Sequence, residues 1–272
     1  MNVYYNLTKN KGYWYRKAYE LNFDIGNAVS WKYIKDFYAR QVPFFKDNNY
    51  PWINSGLKNS TTYKIRYLSH LKLIQISFQQ SSGKFDWFIN FFWFPMFGIK
   101  PYKNMPVVYK THVGFTKSYK SVRDEIFQKI EEICKNNEVT DIEVFGWSYG
   151  GAMTQLCVED LTFNLVENQK HNDWFGNKTP LVTGMTIGSP RVFFKTNKKS
   201  WETIQKRLTR LIMVANVNDL VTHCPPSITG IKHILPLWGV GDGKCANLIK
   251  LFKPTIYHQM SEYTKEINKQ ED

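Results

Sequence analysis

The sequence predicts an α/β fold, with a mostly parallel central sheet flanked by helices and an antiparallel hairpin at one edge. Three observations carry this expectation. Short apolar or β-branched runs alternate with helical patterns, the order that builds parallel strands joined by crossover helices. The strand-like run Ile142-Glu-Val-Phe145 enters a glycine-flanked turn and continues into a helical run from Ala152. A period-two segment over residues 61–79 doubles back at Ser69-His70. The chain has 272 residues, of which 43% are hydrophobic and 22% charged. That excludes disorder as the dominant state and suits one large domain. Without a repeat or a clear linker, residues 61–272 read as the α/β domain. Residues 1–60 read as an N-terminal helical extension packed on its core.

The elements follow in order. Residues 27–47 carry a helix, with Val29, Tyr33, Ile34, Phe37 and Tyr38 at helical spacing and Asn27 as its cap. In the hairpin, Thr62, Tyr63, Ile65 and Tyr67 form the first strand, and Leu71, Leu73, Ile74, Ile76 and Phe78 the buried second one. The clearest helix runs from Thr116 to Asn136, where Tyr119, Val122, Ile126, Ile130 and Ile133 make one apolar stripe. Strands are expected at 140–145, 181–187 and 210–215. Helices are expected at 152–166, 200–207 and 255–269.

Lys and Arg number 36 against 23 Asp and Glu, a net charge of +13. Such a balance attracts polyanions without naming one. No nucleic-acid motif accompanies it, so nucleic acid is not an expected partner. The four cysteines, Cys134, Cys157, Cys224 and Cys245, form no CxxC pair. Neither a structural zinc site nor a disulfide scaffold is expected, and the thiols read as reduced. The N-terminus lacks a basic segment followed by an apolar one. The most apolar stretch, residues 87–99, is short and holds Asn90 and Pro95. A cytoplasmic or intracellular protein without a transmembrane helix is therefore expected.

Gly146-Trp147-Ser148-Tyr149-Gly150 carries the chemistry. GxSxG between a strand and a helix is the setting of a nucleophile elbow. The glycines let the backbones pass closely, Ser148 Oγ stands above the sheet, and the Tyr149 N–H faces a reacting carbonyl as half of an oxyanion hole. A serine nucleophile needs a base, and the base needs an orienting carboxylate. In this topology the chain order is Ser, acid, His. Asp219, after the strand at 210–215, is the favoured acid, and Asp242 in Gly239-Val-Gly-Asp-Gly243 is the rival. His258 is the favoured base over His233 and over His223, which lies too close to Asp219 in sequence.

Several stretches together resemble the class 3 (fungal-type) lipases of the α/β-hydrolase superfamily. They are residues 76–87, Thr111-His112-Val-Gly114-Phe115, Gly146 to Ala152, Gly188-Ser-Pro190-Arg191, and Asn216-Val-Asn-Asp219-Leu-Val221 with Pro225-Pro226. His258 stands where the family has its C-terminal catalytic histidine, and the resemblance spans about residues 60–265. It implies an α/β-hydrolase fold and a Ser148-Asp219-His258 triad. It also places Ser81 at the first oxyanion position, opposite the Tyr149 N–H. The sequence departs from the pattern at Gln79-Gln80, where the family has Arg-Gly, and at Trp147, where His is common.

The implied activity is hydrolysis of acyl esters of glycerolipids through an acyl-enzyme, with no cofactor and no metal. A soluble short-chain carboxylesterase and an inactive hydrolase-fold binding protein remain as alternatives. After the first oxyanion residue, related lipases carry a lid. Here that stretch holds Trp87, Phe88, Phe91, Phe92, Trp93 and Phe94, which fit either a lipid-contacting lid or a buried aromatic cluster. From Trp87 to Arg123 there is no acidic residue, while Lys100, Lys103, Lys110, Lys117 and Lys120 occur. A second basic segment holds Lys198, Lys199, Lys206, Arg207 and Arg210. The expected partners are a lipid or acyl-ester substrate and, peripherally, an anionic membrane surface. The sequence does not set the oligomeric state.

Overall fold

The structure, a computed structural model, describes residues 4–5, 30–54, 61–79, 109–241 and 254–271. Its strands are β1 (Tyr4–Tyr5), β2 (Ile53–Asn54), β3 (Thr62–Leu68), β4 (Leu73–Phe78), β5 (Lys110–Thr111), β6 (Asp141–Trp147), β7 (Leu181–Ile187), β8 (Phe193–Phe194), β9 (Leu211–Asn216), β10 (Ile231–Lys232) and β11 (Leu237–Val240). The helices are α1 (Trp31–Lys46), α2 (Val113–Asn136), α3 (Tyr149–Leu161), α4 (Lys198–Arg207), α5 (Pro254–Tyr257) and α6 (Met260–Asn268). The main sheet has the order β1-β11-β9-β7-β6-β4-β3-β2. Every pairing from β1 to β4 is parallel, and β3 and β2 add antiparallel strands at one edge. The expected α/β fold, with its parallel sheet and edge hairpin, is what forms.

The period-two rule builds the layers. On β6, Ile142 and Val144 face one core while Phe145 faces the other. On β9, Leu211, Met213 and Ala215 take the first side and Ile212 and Val214 the second. The first core packs against α2 and α3, and the second against α1 and α6. With both faces covered, the central strands carry apolar residues on both sides rather than in strict alternation. Glu143 is buried among them. It accepts from Arg40 Nη2 at 2.7 Å and Gln41 Nε2 at 2.6 Å, so α1 compensates a carboxylate on the central strand.

Several boundaries differ from expectation. The cap of α1 is Ser30, whose Oγ accepts from Tyr33 N at 3.1 Å; Asn27 and Val29 lie outside the described residues. Leu71 is exposed in the turn of the hairpin rather than buried in its second strand. Helix α3 starts at Tyr149 and gives way to π-helical turns over Thr162–Glu167. The C-terminal helix expected over 255–269 is two helices, α5 and α6, with His258 and Gln259 in the break. A small antiparallel sheet, β10-β8-β5, was not anticipated. β8 follows β7 in the chain, β10 follows β9 and β5 precedes α2, and these two-residue strands carry too little pattern to read. No helix among the described residues is long and apolar enough to cross a membrane.

Candidate active site

The site forms at the C-terminal ends of the parallel strands, where open α/β sheets place their functional loops. Its first part is the reversal from β6 into α3. A Cβ on Gly146 would lie 2.2 Å from the Gly150 carbonyl oxygen, and a Cβ on Gly150 would lie 2.3 Å from that of Phe78. Only glycine fits either place, so the turn can pass tightly against β4. Ser148, at its apex, takes φ 58° and ψ −124°. A non-glycine residue held there costs on the order of 1–3 kcal/mol. Bonds on both sides hold it: Ser148 N donates to Ile187 O, and Gly151 N to Ser148 O, each at 2.9 Å. Tyr149 is the first residue of α3, so its amide belongs to the turn where the helix dipole is positive.

The second part is the loop after β9. Asp219 N donates to Asn216 O at 3.0 Å, and Asp219 Oδ1 accepts from Val221 N at 2.9 Å. The carboxylate is fully buried, and its Oδ2 accepts from Tyr263 OH at 2.6 Å. The same tyrosine oxygen accepts from Asn216 N at 2.8 Å. Arg191, on the segment after β7, donates Nη1 to Pro225 O at 2.7 Å and braces the far end of this loop.

His258 joins the two parts. Its Nδ1 lies 2.7 Å from Asp219 Oδ2 and its Nε2 lies 2.6 Å from Ser148 Oγ. With Nδ1–H donating to the carboxylate, Nε2 presents its lone pair to the serine hydroxyl. Ser148, His258 and Asp219 thus form one hydrogen-bonded chain across residues far apart in sequence. Gly188, with φ +59°, sits against this chain. A Cβ there would lie 2.9 Å from Asp219 Oδ2 and 3.2 Å from His258 Cε1. This gives a physical reason for the glycine in Gly188-Ser-Pro190-Arg191.

The rival histidines have other places. His233 Nε2 lies 2.5 Å from the Thr222 carbonyl oxygen, and burial pushes its pKa down to about 3. It is a packed neutral histidine. Burial and the nearby Arg191 charge lower the pKa of His223 as well. His112 caps α2, its Nδ1 accepting from Phe115 N at 3.5 Å, and burial pushes its pKa down to about 4. Gln79, at one of the departures from the family pattern, ends β4: its amide donates to Thr62 O at 3.0 Å, and its Oε1 accepts from Thr62 Oγ1. Ser81, Gln80, the aromatic residues Trp87, Phe88, Phe91, Phe92, Trp93 and Phe94, Asp242 and Cys245 lie outside the described residues. Cys134, Cys157 and Cys224 are buried free thiols. Among the described residues no group of His, Cys, Asp or Glu is arranged to hold a metal ion.

Two contacts escaped sequence reasoning. Tyr263 steadies the Asp219 carboxylate from 44 positions away, and Trp147 donates Nε1–H to the His258 carbonyl oxygen at 3.0 Å. Trp147 is visible in the sequence only as a departure from the family pattern. Tyr263 carried no signal beyond its place on an amphipathic helix.

The sheet order, the serine on a glycine-flanked strand–helix turn, and an acid and a histidine arriving later in the chain define the α/β-hydrolase fold. Solved structures agree with this architecture. The chain is similar to a Rhizomucor miehei lipase in its propeptide complex, at 22% identity and a TM-score of 0.55, over 85% of this chain and 70% of that one. It is similar to the Rhizomucor miehei triacylglyceride lipase at 20% identity and a TM-score of 0.56, over 88% and 82% of the two chains. Lipase II from Rhizopus niveus gives 24% identity and a TM-score of 0.50, over 64% of this chain and 59% of its own. At such identities the likeness is one of fold. Residues 75–229, more than half of the chain, match the sequence model of the family Lipase (class 3). The protein belongs to the class 3 lipase family.

Proposed function

We propose that this chain is a serine hydrolase of glycerolipid acyl esters, with Ser148 as nucleophile, His258 as general base and Asp219 as its orienting acid. The single observation that carries the reading is the unbroken hydrogen-bond chain Ser148–His258–Asp219 on the β6–α3 turn. His258 Nε2 takes the Ser148 proton as Oγ bonds to the ester carbonyl carbon. The tetrahedral oxyanion is met by the N–H groups of Tyr149 and Ser81. The C–O bond to the alcohol breaks, and the imidazolium returns the proton to the leaving oxygen. Water, deprotonated by His258, then attacks the acyl carbon; its bond to Ser148 Oγ breaks, the imidazolium returns the proton to Oγ, and the carboxylic acid leaves. Asp219 holds the tautomer throughout and stabilises the imidazolium. No step calls on a metal or an organic cofactor.

Lipid rather than a dissolved ester is favoured by the chain around the site. The aromatic residues Trp87, Phe88, Phe91, Phe92, Trp93 and Phe94 follow Ser81 in the sequence and are of the type that seeks a membrane interface, the composition a lipid-contacting lid would need. The acid-free run from Trp87 to Arg123 supports contact with anionic lipid, each near-surface cation contributing about 1 kcal/mol. The test is fatty-acid release from phospholipid and triacylglycerol emulsions, beside hydrolysis of a dissolved short-chain ester. Faster release from the emulsions, and from anionic over zwitterionic vesicles, is expected. Turnover of the dissolved ester alone would make the protein a soluble carboxylesterase and contradict the lipid assignment.

A further inference from the structure

Trp147 ends β6 and directly precedes Ser148. The glycines of the turn, not this tryptophan, make the reversal possible. Its indole reaches instead to the base: Nε1–H donates to the His258 carbonyl oxygen at 3.0 Å, and the indole and imidazole centroids are 5.6 Å apart with planes inclined by 35°. His258 needs such a hold. It lies in the break between α5 and α6, outside the regular ladder of either helix.

We infer that Trp147 is a positioning residue for His258, its N–H fixing the backbone that carries the imidazole and its ring face lying beside the imidazolium that forms when Ser148 loses its proton. This rests on the reading of His258 as the general base. The hydrogen bond ties the base to the residue next to the nucleophile, so the 2.6 Å separation of Nε2 and Oγ does not depend on the C-terminal segment alone. The ring acts separately. An aromatic face within about 6 Å attracts a cation, and indole does so most strongly. It is placed to steady the imidazolium as Ser148 gives up its proton.

Among the described residues, Asp219 faces His258 at Nδ1, Ser148 faces it at Nε2, and Tyr263 reaches it through the same carboxylate oxygen. His223 is coupled electrostatically to Asp219, with Arg191 beside it.

The experiment compares wild type with Trp147→Phe and Trp147→Leu on a dissolved short-chain ester. Rates are expressed per active site titrated with a fluorophosphonate, which labels serine as the P–F bond breaks and fluoride leaves. Trp147→Phe keeps a ring and removes the N–H. It is expected to lower kcat about tenfold, in line with an interaction lost mainly in the transition state, and to leave KM in place. Trp147→Leu keeps apolar cover and removes both contacts. It is expected to lower kcat further, again with KM in place. If Trp147 only fills space, the variants lose titratable sites or melting temperature while kcat per site holds. That result overturns the inference alone, provided the wild type is labelled at Ser148. A wild type that the probe does not label at Ser148 overturns the triad reading and this inference with it.

Discussion

Replacing Ser148 by alanine is expected to lower kcat on any ester substrate by about a millionfold while leaving the fold intact. Ser148 Oγ is the atom placed 2.6 Å from His258 Nε2. Alanine meets the same backbone strain as serine at φ 58°, and the backbone bonds to Ile187 and Gly151 do not involve the side chain. The thermal midpoint should therefore stay near that of the wild type. Activity should fall to the residue that oxyanion donors and binding can supply, about 10³–10⁴ over water. Kinetics on a dissolved ester, beside a melting curve, check both halves. A variant that keeps more than a few per cent of activity would assign the nucleophile elsewhere.

The second large effect lies in the support of the helix that carries the elbow. Arg207, at the end of α4, is buried with its Nη1 at 2.7 Å from Glu159 Oε1 on α3, and both side chains are almost fully enclosed. Its Nε lies 2.8 Å from Glu167 Oε2, and its guanidinium sits over the Phe163 ring at 4.3 Å. Arg207→Met takes this compensation from Glu159. Breaking such a pair from one side costs about 3–5 kcal/mol. The expected result is a lower denaturant midpoint with an unchanged slope, and near-normal kcat per titrated site in the fraction that remains folded. Removing the stranded charge as well, in Arg207→Met with Glu159→Leu, should recover most of the loss. A single variant as stable as the wild type would show that the pair contributes nothing.

The parts of the fold legible in the sequence are those with strong local pattern. β7 is legible over Leu181–Ile187 because Leu181, Val182, Met185 and Ile187, with the β-branched Thr183 and Thr186, form a short strand-like run ended by Gly188. α2 was read from its stripe of Tyr119, Val122, Ile126 and Ile130, all fully buried. β11 is not legible in the sequence, since Leu237–Val240 is short, contains Gly239 and follows Pro236. β5, β8 and β10 exist only through pairing with one another, which no two-residue stretch announces. The break at His258 was hidden for a similar reason. The apolar spacing of Ile256, Met260, Tyr263 and Ile267 continues across it, while tertiary contacts to Ser148, Asp219 and Trp147 pull His258 out of the helix.

At the site, motif order pointed to the residues that the structure joins, since GxSxG and the later Asp and His follow a fixed order in this topology. Their supports were not legible. Tyr263 and Trp147 act across long sequence gaps through a phenol and an indole that any buried surface could hold. Gly188 was legible as part of a motif, but its reason, the space occupied by Asp219 and His258, appears only in three dimensions.

The central claim is that His258, oriented by Asp219, activates Ser148. Covalent labelling with a fluorophosphonate, followed by mapping of the modified peptide, tests it most directly. The account predicts a single phosphonylated residue, Ser148, with labelling slowed by orders of magnitude in His258→Ala. Label on another serine, or labelling of Ser148 that His258→Ala leaves unchanged, would contradict it.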